Sequence, residues 1–115
     1  SAELNRGAYL VQALTHCGEC HTPRNFLGVS QKDRFLAGGK GPGDQGIPNI
    51  TPTRLKSMCD SDLLQYLQTG ISADGDVAAE PMSEVITNTL AKLTNPDINA
   101  LIGYLRSLPP LPEEK

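Results

Sequence analysis

The sequence has no tryptophan and only two phenylalanines and three tyrosines among 115 residues. One domain of this length buries a core, and with so few large aromatic side chains that core must be mostly aliphatic. Positive charge is not in excess. Ten Lys and Arg against thirteen Asp and Glu leave a net charge of -3, so the basic face of a nucleic-acid binder is not expected. No apolar run approaches the ~20 residues that span a bilayer, and the basic and apolar regions of a signal peptide do not stand at the N-terminus. The Gly38-Gly39-Lys40-Gly41-Pro42-Gly43 run has neither the spacing of a phosphate loop nor a helix pattern after it. Asp74-Gly75-Asp76 lacks the spaced acidic ligands and closing Glu of a calcium loop and reads as a turn.

What the sequence does contain is Cys17-Gly18-Glu19-Cys20-His21. Cys-x-x-Cys-His is the spacing that attaches a c-type haem. Two thiols three positions apart on one helical turn can each form a thioether to a haem vinyl group, and the adjacent His21 can then ligate the iron. A bare Cys-x-x-Cys would fit zinc knuckles and thioredoxin-like sites equally well; the His removes most of those readings. A buried porphyrin would also occupy the centre of a core poor in aromatics. No second such motif appears, so one haem c is expected, held through Cys17 and Cys20. Haem attachment of this kind occurs outside the bacterial cytoplasm, so the chain reads as periplasmic or secreted, a mature form or an excised domain. Cys59 is left over and reads first as a small buried apolar residue, the alternative being an exposed thiol prone to dimerisation.

Leu4, Ala8, Val11 and Leu14, with Gly7 on the same side, predict an amphipathic helix from Ala2 to about Cys17. Thr22 to Pro52 is rich in Gly, Pro and polar residues without strand alternation, a stretch that a cofactor would have to organise. Asp60 or Ser61 can cap a short helix through Leu63, Leu64 and Leu67 that ends at Gly70, and a helical turn can start at Ser83 after Pro81. Thr94 can cap the amide of Asp97, with Asp97 answering, as a capping box. Ile98, Leu101, Ile102, Leu105 and Leu108 then form the clearest apolar stripe, which Pro109-Pro110 stops. The predicted fold is all-α, with terminal helices burying their stripes against each other, over a domain of residues 1–110 followed by a tail or linker at 111–115.

A haem that only passes electrons needs a second axial ligand. His16 sits on the same helix end as the motif and cannot reach the opposite haem face, which leaves the thioethers of Met82 and Met58 open. At this point the sequence resembles the class I (mitochondrial-type) c-type cytochromes, most closely the monohaem bacterial domains found as subunits or modules of periplasmic dehydrogenases. The resemblance rests on Arg6-Gly7-Ala8-Tyr9-Leu10, Cys17 to Asn25, Leu36-Ala37-Gly38-Gly39, Pro48-Asn49-Ile50-Thr51 and Tyr104-Leu105-x-Ser107-Leu108-Pro109. It implies the class I fold, with crossed terminal helices in which Gly7 and Tyr104 are small and large partners. It implies Met82 as the distal ligand and the carbonyl of Pro48 as acceptor of a hydrogen bond from the axial imidazole. Lys56-Ser57-Met58-Cys59 departs from the family, which often carries an aromatic there.

The expected function is one-electron transfer by a His21/Met82 haem c, with no substrate chemistry of its own, exchanging electrons with redox-partner proteins and probing no nucleic acid or membrane span; as a domain the chain reads as a monomer. The alternatives are a haem enzyme or gas or peroxide sensor with an open distal position, and a zinc module using Cys17, Cys20, His21 and Cys59. Adjacent Cys20 and His21 make poor joint tetrahedral ligands.

Overall fold

The computed structural model describes residues 2–40, 46–78 and 82–112. Gly41, Pro42 and Gly43 of the glycine run, Pro81, and residues 113–115 of the expected tail lie outside the described residues. The first helix, α1 (Ala2–Tyr9), widens into π-type winding over Leu10–Leu14. The motif forms α2 (Cys17–His21), and the following loop carries a two-residue antiparallel ladder of β1 (Gly39–Lys40) and β2 (Gly46–Ile47). Helices α3 (Pro52–Leu55), α4 (Asp60–Thr69), α5 (Met82–Asn88) and α6 (Asn95–Ser107) complete the order. The expected all-α architecture is the one observed.

The frame is the crossing of α1 on α6. A Cβ on Gly7 would run into the backbone carbonyl of Ala100 and stand 2.7 Å from Tyr104 Cβ, so only glycine lets the two backbones meet. Ile98, Leu101, Ile102 and Leu105 are buried along α6, and Leu108 is half-buried. From the N-terminal side Leu10 and Val11 supply the fully buried side chains, whereas Leu4 and Leu14 are exposed at the stripe's edges. Leu10, three positions after Gly7 on the same helix face, is a core position that the sequence stripe did not include. Arg6 closes the crossing from outside: its Nε and Nη2 donate to the two Asp97 oxygens at 3.1 and 3.2 Å. The backbone amide of Asp97 does donate to Thr94 Oγ1 at 3.3 Å, as the cap predicts, but the carboxylate, committed to Arg6, does not complete a capping box. As expected, α6 stops at Ser107 before the two prolines, and α4 ends at Gly70 with φ 78.

The core is aliphatic, as the composition requires. Among the described residues no aromatic side chain is buried, and Phe26 is 96% exposed at the tip of a turn between Arg24 and Ser30. Ser72 to Asp76 forms the expected turn, with Gly75 at φ 88. No helix of the described residues is long and apolar enough to cross a membrane.

Candidate functional site

The single long helix expected from Ala2 to about Cys17 ends three residues early, at Leu14. Thr15 is the reason: its backbone N–H and its Oγ1 both donate to Leu10 O, at 2.9 and 2.8 Å, which seals the first helix. His16 then adopts φ 53, ψ 42, a left-handed conformation uncommon outside glycine, and α2 leaves in a new direction. Within it, Cys17, Cys20 and His21 stand at i, i+3 and i+4 and share one face. Gly18, Glu19 and Thr22 lie on the other side, where they line an open depression of about 270 Å³ together with His16, Lys32 and Phe35.

Cys17 is half-buried and Cys20 exposed, both as free thiols. Burial pushes the Cys17 thiol above its ordinary pKa, against a smaller lowering influence from Thr15, whose Oγ1 lies 3.1 Å from Sγ. His21 is only 8% exposed. Its Nδ1 lies 2.8 Å from Pro48 O, and since a carbonyl only accepts, Nδ1 carries the proton. Burial lowers the His21 pKa, with the Pro48 bond opposing, so the ring is held neutral. The lone pair is therefore on Nε2, which has no hydrogen-bond partner among the described residues.

The acceptor is itself held by its surroundings. Three stretches of loop, Thr22, Leu36 to Gly38 and Pro48 to Ile50, are tied to one another by bonds with no helical or sheet period. The His21 carbonyl accepts from Gly38 N, Thr22 Oγ1 accepts from Leu36 N at 3.0 Å, and Ile50 N donates to Leu36 O at 2.9 Å. Leu36 is fully buried at φ 66 and Gly38 has φ 84. A Cβ on Gly38 would meet Ile47 O at 2.5 Å and Asn49 N at 2.7 Å, so glycine seats this loop directly against the Pro48 segment.

The other sequence-derived candidates fall elsewhere. Met82 opens α5, half-buried and packed on the hydrophobic core. Met58 is also half-buried, at the turn after α3, and its carbonyl accepts from Arg106 Nη2 at 2.7 Å while Leu55 O accepts from Nη1 at 3.1 Å. Arg106, which sequence reasoning passed over, thereby ties the end of α6 to the start of the mid-chain helices, and its Nε pairs with Asp60 at 2.6 Å. Cys59 is not the buried apolar residue expected. It is exposed at the N-cap of α4, where Asp60 or Ser61 was expected, and its Sγ lies 3.2 Å from Ser61 Oγ; the chain enters a helix here at the surface, leaving no core for the thiol to fill. Among the described residues no three His, Cys, Asp or Glu side chains converge as metal ligands, so the four residues of the zinc alternative are not assembled.

No family model matches the chain. It is similar to a diheme cytochrome c-type protein of Cereibacter sphaeroides, 47% identical over 108 residues, covering 93% of this chain and 36% of that one. It is 49% identical over 108 residues to the fructose dehydrogenase cytochrome subunit of Gluconobacter japonicus, covering 91% and 22%. It is 34% identical over 123 residues to the alcohol dehydrogenase (quinone) cytochrome c subunit of Gluconobacter oxydans, covering 98% and 25%. The chain thus spans about a third or less of the length of these curated relatives. Nearly all of it is related to segments of c-type cytochromes, among them the cytochrome c subunits of dehydrogenases.

Proposed function

We propose that the chain is an electron-transfer module that holds one haem c through thioethers at Cys17 and Cys20, with His21 and Met82 as the two axial ligands. The observation that carries this reading is the set of donors on α2: two free thiols one turn apart, beside a neutral imidazole whose Nδ1 is committed to Pro48 O and whose Nε2 has no hydrogen-bond partner among the described residues. That set fits the group. When bound, the haem supplies a one-electron ferric/ferrous couple. The chain's own part is to fix the ring in place, to orient the imidazole through Pro48, which raises its basicity, and to offer a soft thioether that favours the ferrous state.

The relatives support the wider setting. By their names they are cytochrome subunits of dehydrogenases, so the natural partners of this chain are redox proteins, in a larger oxidoreductase or as donor and acceptor of a periplasmic or secreted carrier. One relative is named as diheme, but only 36% of it aligns here, and this chain has one Cys-x-x-Cys-His, which supports the reading of one haem per module.

Two measurements test this. After expression in a host competent for haem attachment, mass spectrometry of the denatured protein should find the chain plus one haem, and Cys17→Ala or Cys20→Ala should leave it singly linked or lost; a parent of apoprotein mass would refute the attachment. The ferric protein should carry the weak red charge-transfer band of methionine-ligated haem. Met82→Ala should abolish it, lower the potential and admit cyanide, whereas Met58→Leu, which roughly keeps volume, should preserve it. The reverse pattern would transfer the ligand to Met58.

A further inference from the structure

Residues 111–112, expected as the beginning of a free tail, are pinned to the loop that follows Pro48. Leu111 O accepts from Asn49 Nδ2 at 2.9 Å and from Thr53 Oγ1 at 2.6 Å, Leu111 N donates to Thr51 Oγ1 at 3.2 Å, and Pro112 O accepts from Arg34 Nη2 at 3.0 Å. Asn49 is the junction. It is 1% exposed, and its Oδ1 accepts from both Thr51 N, at 2.8 Å, and Thr51 Oγ1, at 2.6 Å. Its side chain therefore has bonds in two directions, and its backbone is wedged against Gly38. The residue before it supplies the carbonyl that holds His21.

We infer that Asn49, clamped by the Leu111–Pro112 strap, is a positioning residue for the axial imidazole: the strap sets the orientation of the Pro48 carbonyl, and through it the electron donation of His21 to the iron. This rests on the haem reading above. The carbonyl and the amide of one peptide lie in a single rigid plane and turn together, and the Pro48–Asn49 peptide carries the His21 acceptor at one end and, at the other, the amide of a buried Asn whose side chain makes three hydrogen bonds. Surface loops are ordinarily mobile; here a chain segment more than fifty positions away supplies the restraint. Releasing the strap should lengthen the Nδ1–H to carbonyl bond, make His21 a weaker donor, and raise the reduction potential.

The test compares three forms of the haem-loaded protein: full length, a chain ending at Pro112, and a chain ending at Pro110. The two truncations lose the same charged residues, Glu113, Glu114 and Lys115, but only the shorter loses the strap. The form ending at Pro112 should match the full chain, and the form ending at Pro110 should show a higher potential with an altered hyperfine-shifted signature of the His21 ring. A new terminal carboxylate near the iron would act in the opposite direction, so the sign identifies the cause. Should the shorter chain fail to fold, Thr53→Val decides, since it removes one bond to Leu111 O at nearly constant volume and should shift the potential upward by less. Equal potentials in all folded forms, with only a lower melting temperature for those lacking the strap bonds, would overturn the inference while leaving the haem reading intact. Absence of attached haem from the full chain would overturn both.

Discussion

Where α1 crosses α6, backbone lies against backbone because Gly7 has no side chain; around His21, backbone is held by side chains of Thr22, Asn49 and Thr51. The first region is built from a repeated period and from contact. Its apolar stripe recurs every three or four residues, and each side chain adds a similar amount of burial. The second has no period and is built from individual hydrogen bonds between residues distant in sequence. A frame made of many similar contacts tolerates the loss of an edge position, as the exposure of Leu4 and Leu14 indicates. A site made of single bonds does not, because each buried donor has one acceptor. The difference predicts separable failures: changes in the crossing should alter stability with the site's properties intact, and changes in the loop should alter both.

The largest effect is expected from Gly7→Ala. The new methyl group would meet the Ala100 carbonyl and Tyr104 Cβ, neither of which is the free end of a flexible side chain, and overpacking of this kind costs about 1–3 kcal/mol or more. Gly103→Ala, on the opposite member of the same crossing, meets only Glu3 Oε1 at 3.6 Å, an ordinary contact. Replacing a helical glycine there should stabilise by about 0.5–1 kcal/mol. Urea unfolding of the two variants should move in opposite directions. If both destabilise equally, the crossing is held by something other than close backbone approach.

Thr22→Val comes next and attacks the loop. Valine keeps the shape and removes the acceptor for Leu36 N, a buried donor, so the expected cost is about 1–3 kcal/mol. Unlike Gly7→Ala it should also disturb the His21 ring, because Leu36 precedes the Gly38 turn that seats Pro48. The NMR signal of the His21 Nδ1 proton should shift or exchange faster in Thr22→Val and stay in place in Gly7→Ala. An unmoved signal in both would make the loop as tolerant as the frame.

The same contrast explains what could be read from the sequence. The terminal helices, the Gly70 stop, the Thr94 cap and the Pro109-Pro110 end were all legible, since each depends on near neighbours or on a period. The donors on α2 were legible because their spacing is local. The strap at Leu111, the fork of Arg106 and the buried Leu36 at positive φ were not: each joins backbone groups to partners 14 or more positions away, and nothing in residue type marks a leucine for a left-handed conformation. The break at Thr15 and His16 had a partial signal, since a threonine can bond back to its own helix, but a histidine does not announce a turn. Pro48 was reached through resemblance alone, and the structure supplies the physical account of why that carbonyl is held in place.

The smallest effect concerns Arg6 and Asp97, the outer tie of the frame. The bidentate hydrogen bond from Arg6, foremost, and its charge hold the Asp97 carboxyl below the ordinary carboxylate range. A depressed folded pKa means that the unfolded chain takes up the proton first. The pair's contribution is therefore fully present above the unfolded carboxylate pKa of about 3.9 and is lost as pH falls through the lower folded value. Both groups reach solvent, so salt should screen the pair. Asp97→Asn keeps the backbone amide that Thr94 caps and removes only the charge. The stability difference between the parent and Asp97→Asn should be small near neutral pH, shrink further in concentrated salt, and vanish in acid below the folded pKa, where the parent's Asp97 is itself neutral. A difference that persists unchanged in acid would mean that the carboxylate's role is the shape of the bond to Arg6 and not its charge.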